Sequence, residues 1–83
     1  MQRFPQQLIN VRVAKRFDAA REPAVAAAIS RVEQSLGSRG RVVLRASGTE
    51  PLIRVMVEGE DAEAVGRHAE ELATAVRAAA PAA

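Results

Sequence analysis

The chain has 83 residues, which is the length of one domain. It contains no Cys and a single His, so disulfides, thiolate zinc sites and cysteine nucleophiles are excluded and a histidine metal site is disfavoured. Aromatic residues make up only 2% of the chain and its net charge is +2, whereas nucleic-acid-binding modules combine stacking rings with strong positive charge. With no Cys and no signal peptide, the sequence predicts a cytoplasmic protein without nucleic-acid or membrane partners.

The first half of the chain predicts a strand, a helix and a second strand. Apolar residues alternate over residues 7–13, as in a half-buried strand. Pro23 favours the first turn of a helix that ends at Gly37. A single helical stripe is formed by residues spaced 4, 3 and 4 apart: Val25, Ile29, Val32 and Leu36. Residues 41–45 predict the second strand, with Val42 and Leu44 on one face.

The second half predicts a third strand and a second helix. Residues 52–58 alternate like a strand, and Asp61 is a good N-cap for the helix that follows. The stripe of that helix has the same spacing: Val65, Ala69, Leu72 and Val76. We expect residues 1–83 to form one domain, with an N-terminal linker over residues 1–6 and a frayed Ala-rich tail over residues 78–83.

The order β-α-β-β-α predicts an α+β fold. A right-handed crossover joins the first two strands, and the hairpin then inserts the third strand between them. The result is an antiparallel sheet of three strands in the order 1-3-2, with both helices on one face. Four apolar residues lie on the opposite face and are expected to be unusually exposed: Leu8, Val43, Leu52 and Met56.

The connection between the last two strands carries the side chains that suggest a function. Arg45 offers a charged bidentate fork, and Ser47 and Thr49 offer hydroxyl donors, which together suit a phosphate group. The alternative is an ordinary solvated turn, because Ser, Gly, Thr and Pro are common turn residues. We expect this loop, residues 45–51, to be exposed and mobile.

Two further residues strengthen the phosphate interpretation. Gly48 allows successive backbone N–H groups to turn inward around an anion. Arg54, nine residues after Arg45, is predicted to point toward the same rim. The loop is not a Walker motif, because no Lys follows the glycine and no helix begins there. His68 is expected to be a boundary residue of the last helix rather than a general base.

Two segments of the sequence carry a family resemblance. They are RASGTEPLIRVMVEG at residues 45–59 and FPQQLINVRV at residues 4–13. Both resemble the C-terminal (fourth) domain of the bacterial phosphoglucosamine mutases, which belong to the α-D-phosphohexomutase superfamily. The chain departs from the pattern at Ala46, where relatives often carry Lys or Pro. The resemblance implies a phosphoglucomutase C-terminal-domain fold, which is similar to that of the TATA-box-binding protein.

The resemblance also implies an activity for a longer enzyme. This family interconverts glucosamine 6-phosphate and glucosamine 1-phosphate through a phosphoserine and a Mg²⁺ ion, for UDP-N-acetylglucosamine and peptidoglycan synthesis. By similarity, the substrate phosphate is bound by Arg45, Ser47, Gly48 and Thr49, and Glu50 and Arg54 are supporting residues. The catalytic serine and the metal ligands belong to three earlier domains, so this chain is expected to hold no catalytic residue or cofactor and to be inactive alone.

Two alternatives stay open at this stage. The first is the same domain of a related phosphomannomutase or phosphoglucomutase, because the loop that selects the sugar lies outside this sequence. The second is a small nucleic-acid-binding α+β module, which the scarcity of aromatic residues disfavours. Binding of sugar phosphates would distinguish the mutase domains from the nucleic-acid module.

Overall fold

Three antiparallel strands and two α-helices make up the computed structural model, which describes residues 4–14, 17–48 and 50–80. The elements are β1 (Gln6–Arg12), α1 (Pro23–Leu36), β2 (Arg41–Ala46), β3 (Leu52–Glu58) and α2 (Ala62–Ala79). Short 3₁₀ turns, Ala19–Arg21 and Gly37–Arg39, precede and follow α1. The predicted β-α-β-β-α order is confirmed.

The strand order of the sheet is β1-β3-β2, with both pairs antiparallel. The predicted α+β fold and the 1-3-2 order are therefore confirmed. β3 is the central strand, because the hairpin after β2 returns the chain between the two strands that the crossover through α1 had placed apart.

The strand ends differ slightly from the predicted ones. β1 begins at Gln6, inside the predicted linker, and the N–H of Gly59 donates to the carbonyl of Pro5 at 3.1 Å. This hydrogen bond continues the contact between the two chain segments beyond the strand itself. α2 continues to Ala79, into the predicted tail. The remainder of the predicted linker and tail, residues 1–3 and 81–83, lies outside the described residues.

The core lies between the helices and one face of the sheet. α2 packs across β1 and β3, and α1 packs beside α2. The largest fully buried side chains come from both helices and from strands β1 and β3: Val11, Val25, Val32, Ile53, Val55, Val57, Val65, Leu72 and Val76. Each contributes on the order of 1.5–3 kcal/mol by leaving water. Both predicted helical stripes therefore face the sheet, and only Ile29 and Leu36 of α1 are half-buried.

The helix ends follow from local sequence. Pro23 occupies the first turn of α1, and Asp61 Oδ1 accepts a hydrogen bond from the N–H of Glu63 at 3.0 Å, as expected of an N-cap. Gly37 ends α1 with φ 67° and ψ −151°. The predicted end of the helix is confirmed, but the ψ lies outside the left-handed helical region, and the chain enters the turn Gly37–Arg39 directly.

The sheet face turned away from the helices, called the open face below, is only partly shielded. Leu8 is 55% exposed, as predicted, whereas Val43 and Met56 are half-buried rather than exposed. The prediction is wrong for Leu52, which is 8% exposed. Leu52 adjoins the loop of residues 48–51, whose Glu50 carbonyl accepts from its N–H at 2.8 Å. A backbone hydrogen bond thus joins Leu52 to the loop at this end of the open face.

Candidate functional site

A polar cleft of about 300 Å³ lies where β2 ends and β3 begins. Its lining residues are Arg45, Ala46, Ser47, Gly48 and Arg54. The structure therefore places four of the predicted site residues around one cavity. The volume is at the lower end of the range for ligand sites, and it suits a small anion better than a whole cofactor.

Arg45 and Arg54 are directly opposite each other across β2 and β3, so both side chains project from the open face. Among the described residues, neither arginine has a carboxylate partner. Five other arginines do, at 2.9–3.9 Å: Arg12, Arg21, Arg31, Arg39 and Arg41. Like charges directly opposite in a sheet are destabilising, and an anion bound between them would remove that repulsion.

The neighbouring rows of the sheet show that this arrangement is local. At the other end of the same hairpin, Arg41 is opposite Glu58, and its Nε donates to Glu58 Oε1 at 2.9 Å. On β1, Asn10 is opposite Arg54. Asn10, Arg54 and Arg45 thus form one row across the open face, called the cationic row below. Only the strand register brings Asn10 to this row, so its position could not be predicted from the sequence alone.

Ser47 fastens the loop to the sheet. Its N–H donates to the carbonyl of Leu52 at 2.9 Å, and its Oγ accepts from the N–H of Glu50 at 3.3 Å. Ser47 is only 7% exposed, so the expectation of an exposed loop is wrong at this residue. A serine hydroxyl can accept and donate at once, so this contact is compatible with the predicted donor role. The mobility of the loop stays a prediction.

Gly48 lies beside the cleft without a conformational reason to be glycine. Among the described residues, a positive φ occurs at Gly37 alone. A Cβ added at Gly48 would meet no atom within 4 Å. The predicted inward turn of backbone N–H groups therefore does not depend on a left-handed Gly48. What glycine provides here is open space beside the backbone, where a ligand can approach closely.

The remaining predicted residues are placed differently. Thr49 lies outside the described residues. Glu50 does not line the cleft, and its Oε2 is 3.9 Å from Arg12 Nη2 at the end of β1. The N–H of Val13 also donates to the carbonyl of Pro51 at 2.9 Å. Glu50 and its neighbour thus contact the end of β1 rather than the cleft.

A second, larger cleft of about 430 Å³ shares Arg45 and Ala46 with the polar one. Its other walls include Phe17, Leu44 and Ile53, which makes it more apolar. It opens where the helical layer covers β2 least, since α2 packs on β1 and β3 instead. Nothing in the periodicity of the sequence indicated this cleft.

The described residues contain no group of three His, Cys, Asp or Glu side chains able to hold a metal ion. His68 is half-buried on α2, as expected of a boundary residue, with its Nδ1 3.9 Å from Glu71 Oε1. This carboxylate was not predicted from the sequence. Its other oxygen accepts from Arg31 at 3.0 and 3.2 Å. Nor does any helix in the described part of the chain combine the length and apolarity needed to cross a membrane.

Comparison with known proteins identifies the class to which this fold and cleft belong. Residues 8–75 match the family described as phosphoglucomutase/phosphomannomutase, C-terminal domain, and the chain belongs to this family. Its curated relatives include the phosphoglucosamine mutase of Marinobacter nauticus, 53% identical over 81 residues, and that of Aliivibrio fischeri, 58% identical over 77 residues. These matches cover 98% and 93% of this chain but only 18% and 17% of the relatives. The predicted resemblance is confirmed.

Solved structures show the same fold in the same superfamily. The crystal structure of Aspergillus fumigatus N-acetylphosphoglucosamine mutase in complex with GlcNAc-6P and magnesium matches with a TM-score of 0.76 and 33% identity. The match covers 94% of this chain and 16% of that one. An N-acetylglucosamine-phosphate mutase of the α-D-phosphohexomutase superfamily matches with a TM-score of 0.59 and 32% identity.

Proposed function

We propose that this domain binds the substrate phosphate of a phosphoglucosamine mutase, the enzyme that interconverts glucosamine 6-phosphate and glucosamine 1-phosphate. The observation that carries the proposal is the pairing of Arg45 with Arg54 at one polar cleft. Two guanidinium groups without carboxylate partners, facing one small cavity, favour an anion with more than one negative charge.

Each residue of the cleft has a distinct role in this proposal. Arg45 supplies the bidentate fork from the end of β2, and Arg54 supplies the second positive charge from β3. The Ser47 hydroxyl and the backbone N–H of Gly48 add donors at the loop, and Thr49 adds a second hydroxyl. Glu50 holds the loop against β1. None of these groups transfers the phosphoryl group, and the domain binds and orients the phosphate that stays on the sugar.

The chemistry of transfer is assigned to the rest of a longer enzyme. The related A. fumigatus structure contains magnesium, and we propose that Mg²⁺ also serves the enzyme that includes this domain. The residues described here do not fit such a site, because they contain no cluster of metal ligands. The partners of this chain are therefore the other domains of the mutase and the sugar phosphate. The 83 residues alone are expected to be inactive.

The names of the relatives favour glucosamine phosphates over other hexose phosphates. Phosphoglucosamine mutases are 53–58% identical to this chain, whereas the N-acetylated-sugar enzyme of known structure is 33% identical. We therefore propose a bacterial, cytoplasmic role in making the UDP-N-acetylglucosamine used for peptidoglycan. A related phosphomannomutase or phosphoglucomutase is the alternative that a substrate comparison would test.

A chimera tests the proposed function directly. The M. nauticus relative would carry this chain in place of its corresponding 81-residue segment. We expect the chimera to convert glucosamine 6-phosphate with a kcat/KM within about tenfold of the parent, because the domains are similar throughout. The parent with the segment deleted is the control. A folded chimera no more active than that control would contradict the proposal.

Arg54→Gln is expected to stabilise the phosphate-free chain and to reduce the further stabilisation that phosphate provides. In phosphate-free buffer the variant should be more stable by roughly 0.2–1 kcal/mol, because the like-charge pair is removed. Addition of phosphate should raise the Tm of the wild-type chain by several degrees, since a ligand stabilises the state that binds it, and the variant should gain less.

Thermal unfolding at constant ionic strength, with chloride replacing phosphate, measures both effects. Arg67→Gln is the matched control, because Arg67 is exposed on α2 and does not line the cleft. If Arg54→Gln and Arg67→Gln responded equally to phosphate, Arg54 would have no part in the site.

A further inference from the structure

A third arginine lies beside the cationic row on the open face. Arg12, at the end of β1, is directly opposite Leu52, and Arg54 stands two residues further along β3 on the same face. Arg12 and Arg54 are therefore diagonal neighbours, about 7–8 Å apart, a distance that long side chains can span. Arg12 does not line the polar cleft, but its side chain is long enough to reach an anion held there.

The contact between Arg12 and Glu50 is the longest arginine–carboxylate contact in the described part of the chain. Arg12 Nη2 and Glu50 Oε2 are 3.9 Å apart, which is too far for a hydrogen bond. Arg31, Arg39 and Arg41, by contrast, donate hydrogen bonds to their carboxylates at 2.9–3.2 Å. The Arg12 and Glu50 side chains are also 79% and 57% exposed. Exposed ion pairs contribute little to stability, so Arg12 can leave Glu50 at a small cost.

Backbone hydrogen bonds hold the loop in place when this ion pair opens. The N–H of Val13 donates to the carbonyl of Pro51 at 2.9 Å. The N–H of Glu50 donates to Ser47 Oγ at 3.3 Å. Neither contact uses the Glu50 carboxylate, so the guanidinium of Arg12 is free to change partner without releasing the loop.

The charge at this end of the open face favours a dianion once Arg12 is included. Arg45, Arg54 and the Glu50 carboxylate together carry a net charge of +1, and Arg12 raises it to +2. A phosphate monoester carries about two negative charges at neutral pH. The fourth charged group therefore completes the match between the site and its ligand.

We infer that Arg12 is a third binding residue for the substrate phosphate and that it exchanges its contact with Glu50 for one with a bound phosphomonoester. This inference rests on the proposed phosphate site. The Arg12 guanidinium donates to a phosphate oxygen from the β1 side, whereas Arg45 donates from β2 and Arg54 from β3. The anion is thus contacted from all three strands.

Substitution of the two partners separates a binding role from a loop-anchoring role. Arg12→Gln is expected to raise the Kd of the isolated chain for inorganic phosphate at least about threefold, because one charge-assisted contact is lost. Glu50→Gln is expected to leave the Kd unchanged or to lower it, because no carboxylate then competes for Arg12. If the ion pair served only to anchor the loop, both substitutions would weaken binding alike, and the inference would be wrong.

Arg41→Gln and Glu58→Gln are the matched controls, because Arg41 and Glu58 form an ion pair in the row at the other end of the hairpin. Arg41 is four residues from Arg45 on β2, or about 13 Å, whereas the screening length in 0.15 M salt is about 8 Å. Neither control should change the Kd for phosphate. An Arg12→Gln chain with the affinity of the Arg41→Gln chain would overturn the inference.

The side chain of Arg12 also gives a direct readout by NMR. In a ¹⁵N-labelled chain titrated with inorganic phosphate, the Nε–H resonance of Arg12 should shift along the same saturation curve as those of Arg45 and Arg54. Arg67, exposed on α2, is the internal control and should not respond. A stationary Arg12 resonance beside moving Arg45 and Arg54 resonances would overturn the inference and leave the phosphate site standing. If the Arg45 and Arg54 resonances did not respond either, the proposed function would fail with it.

Discussion

Arg45→Lys is expected to weaken phosphate binding and to lower the kcat/KM of the chimera by roughly 10–150-fold, which corresponds to about 1.5–3 kcal/mol for one charge-assisted hydrogen bond. Lysine keeps the positive charge but offers a single ammonium group instead of a planar fork with two parallel donors. Because Arg45 lines the polar cleft opposite Arg54, the geometry of the fork is what the substitution removes. Repulsion with Arg54 remains in the variant.

The measurement has two parts. Titration of the isolated chain with inorganic phosphate or glucosamine 6-phosphate, followed by NMR, should give a Kd on the order of millimolar, equivalent to about −4 kcal/mol. Only one phosphate is contacted, and ordering the loop opposes binding. Arg77→Lys, exposed in the last turn of α2, is the control. Equal affinity and equal kcat/KM for the two variants would leave Arg45 as a surface residue beside an ordinary turn.

The same substitution at two glycines is expected to separate stability from binding. A Cβ at Gly40 would lie 2.6 Å from the carbonyl oxygen of Glu58 and 2.8 Å from Leu36 Cβ. Gly40→Ala should therefore destabilise the domain by about 1–3 kcal/mol, because backbone atoms on β3 must shift. In a domain of this size, each kcal/mol lowers the Tm by about 4–8 °C.

Gly48→Ala should leave the free energy of unfolding unchanged or raise it by up to about 1 kcal/mol, since the methyl group meets no atom and the unfolded chain loses freedom. Its effect should fall on binding, because the methyl group occupies the space beside the backbone N–H that a phosphate oxygen would approach. We expect phosphate affinity to fall about tenfold, equivalent to about 1.4 kcal/mol. Urea unfolding and phosphate titration of both variants would check this. A stable Gly48→Ala chain with wild-type affinity would show that the loop backbone does not contact the phosphate.

The sequence by itself determined the elements and the class of the fold. Apolar and polar residues alternate along β1 and β3, and apolar residues form one stripe along each of α1 and α2. These patterns predict which residues face the core, because burying one face of a strand or helix requires apolar residues at the spacing of that element. Asp61 is a cap through a hydrogen bond within two residues, so no distant contact is needed to predict it. The loop motif and its resemblance to the phosphohexomutases were likewise local patterns.

Only the tertiary structure decided how the elements meet at the cleft. Arg45 is opposite Arg54 because Ser47 pairs with Leu52 and leaves a loop of four residues, 48–51, between them. A loop one residue longer or shorter would change the register and turn one of the two arginines to the other face. The loop length was the signal that could have revealed this pair, but composition does not say which residues begin and end a turn.

The burial of Ser47 and Leu52 and the position of Asn10 beside Arg54 also depend on tertiary contacts. Periodicity assigns a residue to a face, yet it cannot say what lies above that face. Leu52 was predicted to be exposed for this reason, yet it is 8% exposed. A strand pattern specifies which way each side chain points, whereas pairing with distant strands decides which charges and apolar groups become neighbours.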